Sequence, residues 1–188
     1  AGRPPPAQHG DPRPVSNPRE LFDLYDAREY RVIGRASRGE CHGNPALVHA
    51  VARVHVVDRA GRLLLQKRSG VKDIQPGRWD TAVGGHLQPG EDADTAARRE
   101  MLEELGVAPG RLAFLHRFLW RTGMESEWVT TYAARHDGPF APDPGEVDEV
   151  RFWTREEIAG ALGSGRLTPA FEDEYARLEA RGFRLPPD

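Results

Sequence analysis

Three glutamates stand at helical spacing within the segment GHLQPGEDADTAARREMLEELGV, residues 85–107. If this segment is helical, Glu100, Glu103 and Glu104 occupy positions i, i+3 and i+4 and share one face. Like charges at that spacing repel each other and weaken a helix, whereas a hard divalent cation would bind them together. Mg²⁺ takes oxygen ligands and completes its octahedron with water and phosphate oxygens. The spacing therefore favours a magnesium site for a diphosphate, with a solvated acidic face as the alternative.

The residues around these glutamates supply a start and a buried side for the helix. Pro89-Gly90 is a turn signal, and Asp92, two residues after Gly90, is a suitable capping acid. The apolar positions of the helix predict a side that faces a core, and they are Met101, Leu102 and Leu105. The helix alone does not distinguish a metal site from an ordinary amphipathic helix.

The whole segment from Gly85 to Val107 resembles the Nudix box of the Nudix hydrolase superfamily at every specified position. The resemblance implies an α/β fold in which a curved mixed β-sheet lies between helices as an α/β/α sandwich. It also implies a hydrolase that cleaves a diphosphate linkage in a small molecule, such as a nucleoside diphosphate derivative. The implied cofactor is Mg²⁺, with Mn²⁺ as a substitute.

The resemblance also divides the box into residues that bind metal and residues that shape the motif. The metal ligands, which are also the catalytic residues, would be Glu100, Glu103 and Glu104. The structural residues would be Gly85, Glu91, Arg99 and Gly106. In the superfamily the glutamate and the arginine of this second set often form a salt bridge that holds the loop on the helix. A general base is also needed, and the unranked candidates are Glu103, Glu127 and Glu146.

Residues outside the box resemble one branch of the superfamily, the isopentenyl diphosphate isomerases and the hydrolases that are similar to them. That branch binds one divalent metal through three histidines and two glutamates, which correspond here to His42, His49, His86, Glu125 and Glu127. Such a set suits Zn²⁺ or Mn²⁺ better than Mg²⁺. The alternative is that the histidines are hydrogen-bonded structural residues and the acids are solvated.

Three further positions match that branch in the segment that precedes the box. Arg68 and Lys72 fall where the branch has cations that bind diphosphate, and Trp79 falls where it has an active-site tryptophan. Arginine and lysine are suited to the residual charge of a metal-bound diphosphate. Solvated surface cations are the alternative. We expect Arg68, Lys72 and Trp79 to contact the substrate.

One position departs from the isomerases. They carry a catalytic cysteine directly before the Gly-His pair, where this chain has Gly84. Isomerisation of an alkene needs an acid and a base on opposite faces, so one partner is missing. Cys41 lies far upstream, and the Nudix box is complete. The glycine in place of the cysteine and the complete box both favour hydrolysis. An isomerase and a non-catalytic nucleotide sensor stay as alternatives. The substrate is left open, because aromatic residues that could stack on a base are more often core.

Composition limits the environment and the partners. The chain has 188 residues, a net charge of -3 and one cysteine, and its pI is about 6.2. We expect a cytoplasmic protein without a disulfide, with no nucleic-acid polymer and no membrane as partner. Its partner would be the small-molecule substrate, and a homodimer is common in the superfamily.

Residues 1–18 hold six prolines and predict a flexible arm, followed by a single domain at 19–188.

Hydrophobic periodicity predicts the elements that must position these residues. The predicted strands are Leu21–Asp26, Tyr30–Ile33, Val48–Val57, Arg62–Gln66, Trp79–Leu87, Leu112–Trp120, Trp128–Ala134 and Val147–Trp153. Ser37–Pro45 is predicted as a loop. The helices after the box are predicted at Arg155–Leu162 and Pro169–Arg181. This mixture predicts an α/β domain.

Overall fold

A computed structural model of the chain describes residues 17–72 and 74–182. The strands are β1 (Leu21–Tyr25), β2 (Val32–Ser37), β3 (Val48–Val57), β4 (Leu63–Arg68), β5 (Trp79–Thr81), β6 (Val83–His86), β7 (Ala113–Arg121), β8 (Ser126–Arg135) and β9 (Val147–Trp153). The helices are α1 (Arg38–Cys41), α2 (Ala93–Leu105), α3 (Arg155–Ala161) and α4 (Pro169–Ala180). The predictions for β3 and β9 are confirmed to the residue. The predicted arm at 1–18 lies outside the described residues, except for Asn17 and Pro18.

The main sheet is mixed, which confirms the α/β prediction. Its strand order is β5-β4-β3-β8-β7, with β6 also paired to β3 and β9 also paired to β4. Strands β3 and β8 are parallel along their whole length, whereas the other pairs in this sheet are antiparallel. Helix α2 packs against one face of the sheet, and α3 and α4 pack against the other. Strands β1 and β2 form a separate antiparallel hairpin.

The middle of the sheet contains a seam, by which we mean the gap between the β3–β6 pair and the β4–β5 pair. Strands β3 and β4 are in register only at Val57 and Leu63 and then diverge. The predicted single strand Trp79–Leu87 is wrong for this reason, because the chain crosses the seam at Ala82. Strand β5 pairs with β4, and β6 pairs with β3. The residues just before the Nudix box therefore border the seam.

Strand β3 lies at the centre of the fold and is buried on both sides. Ala50, Ala52, Val54 and Val56 belong to the core beneath α2. Because side chains alternate along a strand, His49, Arg53 and His55 face the opposite side. A buried strand that carries polar groups on one face needs partners for them there.

Helix α2 begins at the predicted cap and ends at a glycine of the box. The Asp92 side chain caps the helix by accepting a hydrogen bond from the Thr95 N–H at 2.8 Å. Gly106 ends it with a φ of 68°, and a Cβ there would lie 2.8 Å from the Ala141 carbonyl oxygen. Met101 and Leu105 are fully buried, each contributing roughly 1.5–3 kcal/mol. Leu102 is 56% exposed, so its predicted place in the core is wrong; it points about 100° away from Met101 around the helix.

Two predictions near the N-terminal hairpin are also wrong in their bounds. The second strand begins at Val32 rather than Tyr30, because residues 26–31 form the turn. The predicted loop Ser37–Pro45 contains α1, whose start has a capping box between Ser37 and Glu40. The S-x-x-E spacing is the sequence signal for this short helix. Over the described ranges, none of the helices combines the length and apolar character needed to cross a membrane.

Candidate active site

The Glu104 carboxylate lies at the seam and is almost completely buried. Its Oε2 atom accepts hydrogen bonds from Gln66 Nε2 at 3.1 Å and from the Gly84 N–H at 3.2 Å. These donors belong to β4 and β6, so the carboxylate joins the two sides of the seam. Burial raises its pKa well above the usual range, and the nearby Glu100 raises it further. Within residues 17–72 and 74–182, no cation forms an ion pair with Glu104.

Glu100 packs directly on β6. A Cβ at Gly85 would lie 2.0 Å from the Glu100 carboxyl carbon, so the absence of a side chain at Gly85 is what makes room for this carboxylate. Burial also raises the pKa of Glu100. The Glu103 side chain is 49% exposed and lies 3.4 Å from an Arg99 nitrogen. The structure therefore places Glu104 at the seam and Glu100 against β6, and it leaves Glu103 half-exposed on the same helix.

Glu91 and Arg99 form a bidentate ion pair. Arg99 Nε donates to Glu91 Oε1 and Arg99 Nη2 donates to Glu91 Oε2, both at 2.9 Å. Arg99 also donates to the His86 carbonyl at 3.1 Å, and the Gln88 N–H donates to Glu91 at 2.9 Å. These contacts tie the loop between β6 and α2 to the helix, as the resemblance implies for this pair.

A second group of residues meets on the other face of the sheet. The ligand atoms of His42, His49 and His86 lie within 4.8 Å of one another, and so do those of His49, Glu125 and Glu127. Strand register explains this meeting, because β8 places Glu127 opposite His49 and β6 returns beside β3. The predicted residues of this set are therefore neighbours in the fold. We call them the histidine–glutamate cluster.

The distances in the cluster are longer than hydrogen bonds. His49 Nε2 lies 3.5 Å from Glu127 Oε1, His86 Nε2 lies 3.8 Å from the same oxygen, and His42 Nε2 lies 3.9 Å from Glu125 Oε2. The buried Nε2 atoms of all three histidines have no hydrogen-bond partner in the described part of the chain. Buried polar atoms normally have a hydrogen-bond partner. Unpartnered imidazole nitrogens that lie this close together are suited to binding a metal ion.

The protonation states in the cluster also suit a metal. Burial alone would raise the pKa of Glu127, but its contact with His49 and the charge of Arg53 lower it to about 2. Burial lowers the pKa of His86 well below its usual value and lowers that of His42. Neutral imidazoles and an ionised carboxylate are the forms that bind metal ions. The residues present therefore fit a divalent cation.

Two residues of the N-terminal hairpin support both groups, and the sequence analysis missed them. The Phe22 ring stacks on His86 and His49, with centroid distances of 4.5 and 5.1 Å. Asp23 accepts a hydrogen bond from the Gly90 N–H at 2.7 Å and so holds the loop of the Nudix box. A phenylalanine followed by an aspartate in a short strand gives no sequence signal that the ring stacks on the histidines or that the acid holds the loop.

A cavity of about 480 Å³ opens beside the cluster at the seam. Its polar wall contains His42, His86, Glu125 and Glu127. Its apolar wall contains Ile74, Trp120 and Met124. Gln66 and Gly84, the two partners of Glu104, also line it. Four residues of the histidine–glutamate cluster and the two partners of Glu104 therefore line one cavity, whereas the α2 carboxylates lie behind that lining.

The three predicted substrate contacts lie in different places. Arg68 lines the cavity, and its Nε donates to the Ile74 carbonyl at 3.0 Å. Lys72 forms an ion pair with Glu146 and is absent from the described cavity lining. Trp79 is 9% exposed and packs edge-on against Trp153 at 5.2 Å, which gives it a packing role in the core beneath α3 and α4.

A buried charge network behind the cluster was also missed. Arg53 lies 3.6 Å from Glu127 and 2.9 Å from Glu174, a fully buried acid of α4. His55 and His116 lie 3.4 and 3.8 Å from Glu174. An arginine within the apolar run Val48–Val57 is a signal that could have predicted a buried ionic partner.

The position of the missing cysteine is open to the cavity. Gly84 lines it, and among the residues that the structure describes a Cβ there would meet only the Arg53 side chain, at 3.8 Å. Cys41 is fully buried and packs with Phe22 and Ala36, and it does not line the cavity among the described residues. Its thiol therefore does not take the role that the isomerases give to their cysteine.

Comparisons with known proteins identify the family. The NUDIX domain model matches residues 47–171. An uncharacterized Nudix hydrolase of Streptomyces coelicolor is 35% identical over 175 residues, covering 92% of this chain and 96% of that protein. An isopentenyl-diphosphate Delta-isomerase of Nocardia farcinica is 36% identical over 140 residues, covering 71% and 79%. A crystal structure from Deinococcus radiodurans has a TM-score of 0.70 at 26% identity, covering 88% and 100%. The chain belongs to the Nudix hydrolase family.

Proposed function

We propose that this protein hydrolyses a diphosphate linkage in a small molecule, with Mg²⁺ held by Glu100, Glu103 and Glu104. The observation that carries the proposal is the Glu104 carboxylate, which is buried beside a cavity with two neutral hydrogen-bond donors. A buried carboxylate without a cation is unfavourable, and the raised pKa of Glu104 reflects that cost. A divalent metal would supply the missing charge. Mn²⁺ meets the same ligand requirement.

The chain's own residues would divide the work around the bound diphosphate. The metal, when bound, supplies a Lewis acid that polarises a phosphoryl oxygen and makes water more acidic. Arg68 borders the cavity and would meet the residual phosphate charge. Gln66 and the Gly84 N–H hold the Glu104 carboxylate in place. Glu103 is half-exposed and could accept a proton from water, although it lies 3.4 Å from Arg99; Glu146 is paired with Lys72.

Isomerisation is the second candidate because a relative bears that name and the histidine–glutamate cluster is present. Gly84 carries no group that could donate or accept a proton. Cys41 is packed in the hairpin core. An alkene isomerase needs two opposed proton-transfer groups, and one of the two positions has no functional group here. These observations support hydrolysis over isomerisation.

The proposal is tested by the release of phosphate and pyrophosphate from a panel of substrates. The panel contains nucleotides, nucleotide sugars and prenyl diphosphates, each assayed with Mg²⁺, with Mn²⁺ and with EDTA. We expect turnover that requires the metal. Isomerised prenyl diphosphate without phosphate release would support the isomerase, and ligand binding without any turnover would support a sensor.

We also propose that the histidine–glutamate cluster holds a second divalent cation, Zn²⁺ or Mn²⁺, through His42, His49, His86, Glu125 and Glu127. The support is the set of buried, unpartnered nitrogens beside two carboxylates. The purified protein should retain about one equivalent of metal after dialysis. His49→Asn should lose it, while His136→Asn, outside the cluster, should keep it. Equal metal content in the parent and His49→Asn would refute this site.

The composition of the chain supports a proposal about its compartment and its partners. We propose that it acts in the cytoplasm on a free small molecule, because one cysteine suits a reducing compartment and the charge of -3 does not favour polyanions. We further propose a homodimer, as the superfamily resemblance suggests. Light scattering during size-exclusion chromatography measures the mass and tests this assembly.

A further inference from the structure

Arg53, in the middle of β3, lies between two buried carboxylates. Its Nη2 atom lies 3.6 Å from Glu127 Oε2, and its Nη1 atom donates to Glu174 Oε2 at 2.9 Å. The Arg53 side chain is 11% exposed, so both contacts are made away from bulk water. A guanidinium is planar and presents its donors in a fixed fork, which allows it to bridge two carboxylates. Arg53 therefore joins an acid of the histidine–glutamate cluster to an acid of α4.

The two oxygens of the Glu127 carboxylate face different groups. Oε1 is the oxygen near the histidines, at 3.5 Å from His49 Nε2 and 3.8 Å from His86 Nε2. Oε2 is the oxygen near the guanidinium of Arg53. The carboxylate is therefore turned so that one oxygen meets the imidazole nitrogens while the other meets a fixed cation. Partners in the second position fix the orientation of a metal-ligating side chain.

The guanidinium of Arg53 is itself held in place. Glu174 is fully buried and belongs to α4, which carries this acid to the face of β3 that holds Arg53. The other oxygen of Glu174 accepts a hydrogen bond from the Thr131 hydroxyl and lies 3.4 Å from His55. The Trp120 ring centroid lies 5.8 Å from the guanidinium carbon, which is within the range of a cation–π contact. Arg53 is therefore a rigid support for Glu127.

The charge of Arg53 is compatible with a cation in the cluster. An arginine near a metal site would repel the metal if its own charge were not balanced. Burial alone would raise the pKa of Glu174, but Arg53 and two histidines hold it well below the usual range. Glu174 therefore carries a negative charge at neutral pH and balances Arg53. The charges of Glu125 and Glu127 are left for a divalent cation.

We infer that Arg53 is a positioning residue for the cation in the histidine–glutamate cluster, because it holds Glu127 with one oxygen turned toward His49 and His86. This inference rests on the proposed function of the cluster as a metal site, and it does not require hydrolysis at the α2 carboxylates. It extends the metal site to a second helix. Contacts from Glu174 through Arg53 to Glu127 connect the packing of α4 with metal binding.

The test is the affinity for Zn²⁺, measured by competition with a chromophoric chelator. All proteins carry Glu104→Gln, which weakens the proposed α2 site. Arg53→Lys keeps the charge but replaces the fork with a single ammonium group. Arg53→Met combined with Glu174→Gln removes both members of the buried pair, so neither charge is left alone. The control is Arg62→Lys, which alters a 2.7 Å pair with Asp58 beyond the end of β3 that lies opposite the cluster.

We expect both Arg53 variants to bind Zn²⁺ about 10-fold to 100-fold more weakly than the background protein. Arg62→Lys should bind as the background does. The absorption spectrum of bound Co²⁺ should change in both Arg53 variants, because it reports the geometry of the ligands. Unchanged affinity would show that Arg53 only packs, and higher affinity would show that it only repels the cation. Either result in a variant that circular dichroism shows to be folded would overturn the inference.

His49→Asn in the same background separates the site from the positioning role. A background protein that binds no Zn²⁺, or binds it as tightly with His49→Asn, would refute the site and the inference together. Binding that is lost in His49→Asn but unchanged in the Arg53 variants would leave the site and overturn the positioning role. Zn²⁺ binding does not require turnover, so an absence of diphosphate hydrolysis would refute the hydrolase and leave this inference standing.

Discussion

Burial of Glu104 opposes stability and serves the proposed chemistry. An ionised carboxylate is expensive to bury, and the raised pKa of this group shows that its surroundings disfavour the charge. Its hydrogen bonds with Gln66 and the Gly84 N–H fix the position of the oxygen without neutralising it. A metal ligand needs this combination of a fixed position and an unused charge.

Glu104→Gln should therefore separate activity from stability. The amide fits the same space without the buried charge, so the free energy of unfolding should stay the same or rise. Metal-dependent turnover should fall by about 100-fold or more, because metal catalysis supplies several kcal/mol. Phosphate release and urea unfolding measure the two effects.

Two variants complete that experiment. Glu103→Gln should lose turnover if this residue is a metal ligand or the base. Glu156→Gln, at an exposed position of α3, should retain parental turnover and parental stability. Parental turnover in Glu104→Gln would show that the metal assignment is wrong.

Gly85→Ala tests the packing of Glu100 on β6. The new methyl group would lie 2.0 Å from the Glu100 carboxyl carbon, so the carboxylate must move. A displacement of this size in an active site can lower turnover about 100-fold. Mn²⁺ affinity and phosphate release should both fall.

The neighbouring glycine provides the matched control. Within the described part of the chain, a methyl group at Gly84 would meet only the Arg53 side chain at 3.8 Å, which is ordinary contact. Gly84→Ala should keep the parental Mn²⁺ affinity and melting temperature. Both variants are made in a His49→Asn background, which lacks the proposed second site. If Gly85→Ala keeps the Mn²⁺ affinity of that background as well, Glu100 is not a metal ligand.

At the scale of the elements, α4 is joined to the sheet by a buried charge network. Burial alone would raise the pKa of Glu174, but Arg53 and contacts with His116 and His55 hold it well below the usual range. Removing one partner of a buried ion pair leaves the other uncompensated. The network therefore fixes α4, and with it the helix start that borders the cavity.

Glu174→Gln should lower the free energy of unfolding by about 3–5 kcal/mol at neutral pH. Asp173→Asn breaks only a half-exposed pair with Arg177 on the same helix, so it should change stability by less than about 1 kcal/mol. Urea unfolding of the three proteins measures both values. A loss in Glu174→Gln no larger than that in Asp173→Asn would show that the network contributes little.

The pH dependence of this effect has a defined sign. The folded pKa of Glu174 is depressed, so its stabilisation is complete above the unfolded pKa of about 4.3. It is lost as the pH falls through the folded pKa, because the unfolded chain then binds more protons. The difference between the parent and Glu174→Gln should be constant from about pH 7 to 5 and should narrow below about pH 4. A difference that stays constant in acid would contradict this assignment.

At the scale of the molecule, the features that depend on local sequence patterns were predictable, whereas those that depend on contacts between distant segments were not. The apolar run at Val48–Val57 and the capped α2 were predictable because periodicity and capping are local. The Nudix box identified the family because many of its positions are specified within one segment. The seam was not predictable, since it depends on which partner strand each half of Trp79–Leu87 selects.

The site shows the same division between local and distant information. Histidines and glutamates from strands and from the segments between them were grouped through a family resemblance, and the fold brings them together. Phe22, Gln66 and Glu174 were missed because their roles depend on contacts between segments far apart in the chain. Trp79 resembles an active-site residue in sequence but packs in the core.

The central claim is that water attacks a phosphorus atom of a diphosphate. The most direct measurement is the reaction of the best substrate of the panel in ¹⁸O-labelled water with Mg²⁺, followed by mass spectrometry of the phosphorylated products. We predict one labelled oxygen per cleaved linkage in a phosphorylated product, and no labelled product with EDTA or in Glu104→Gln. Products without the label, or an isomerised substrate with its diphosphate intact, would contradict the proposed hydrolysis.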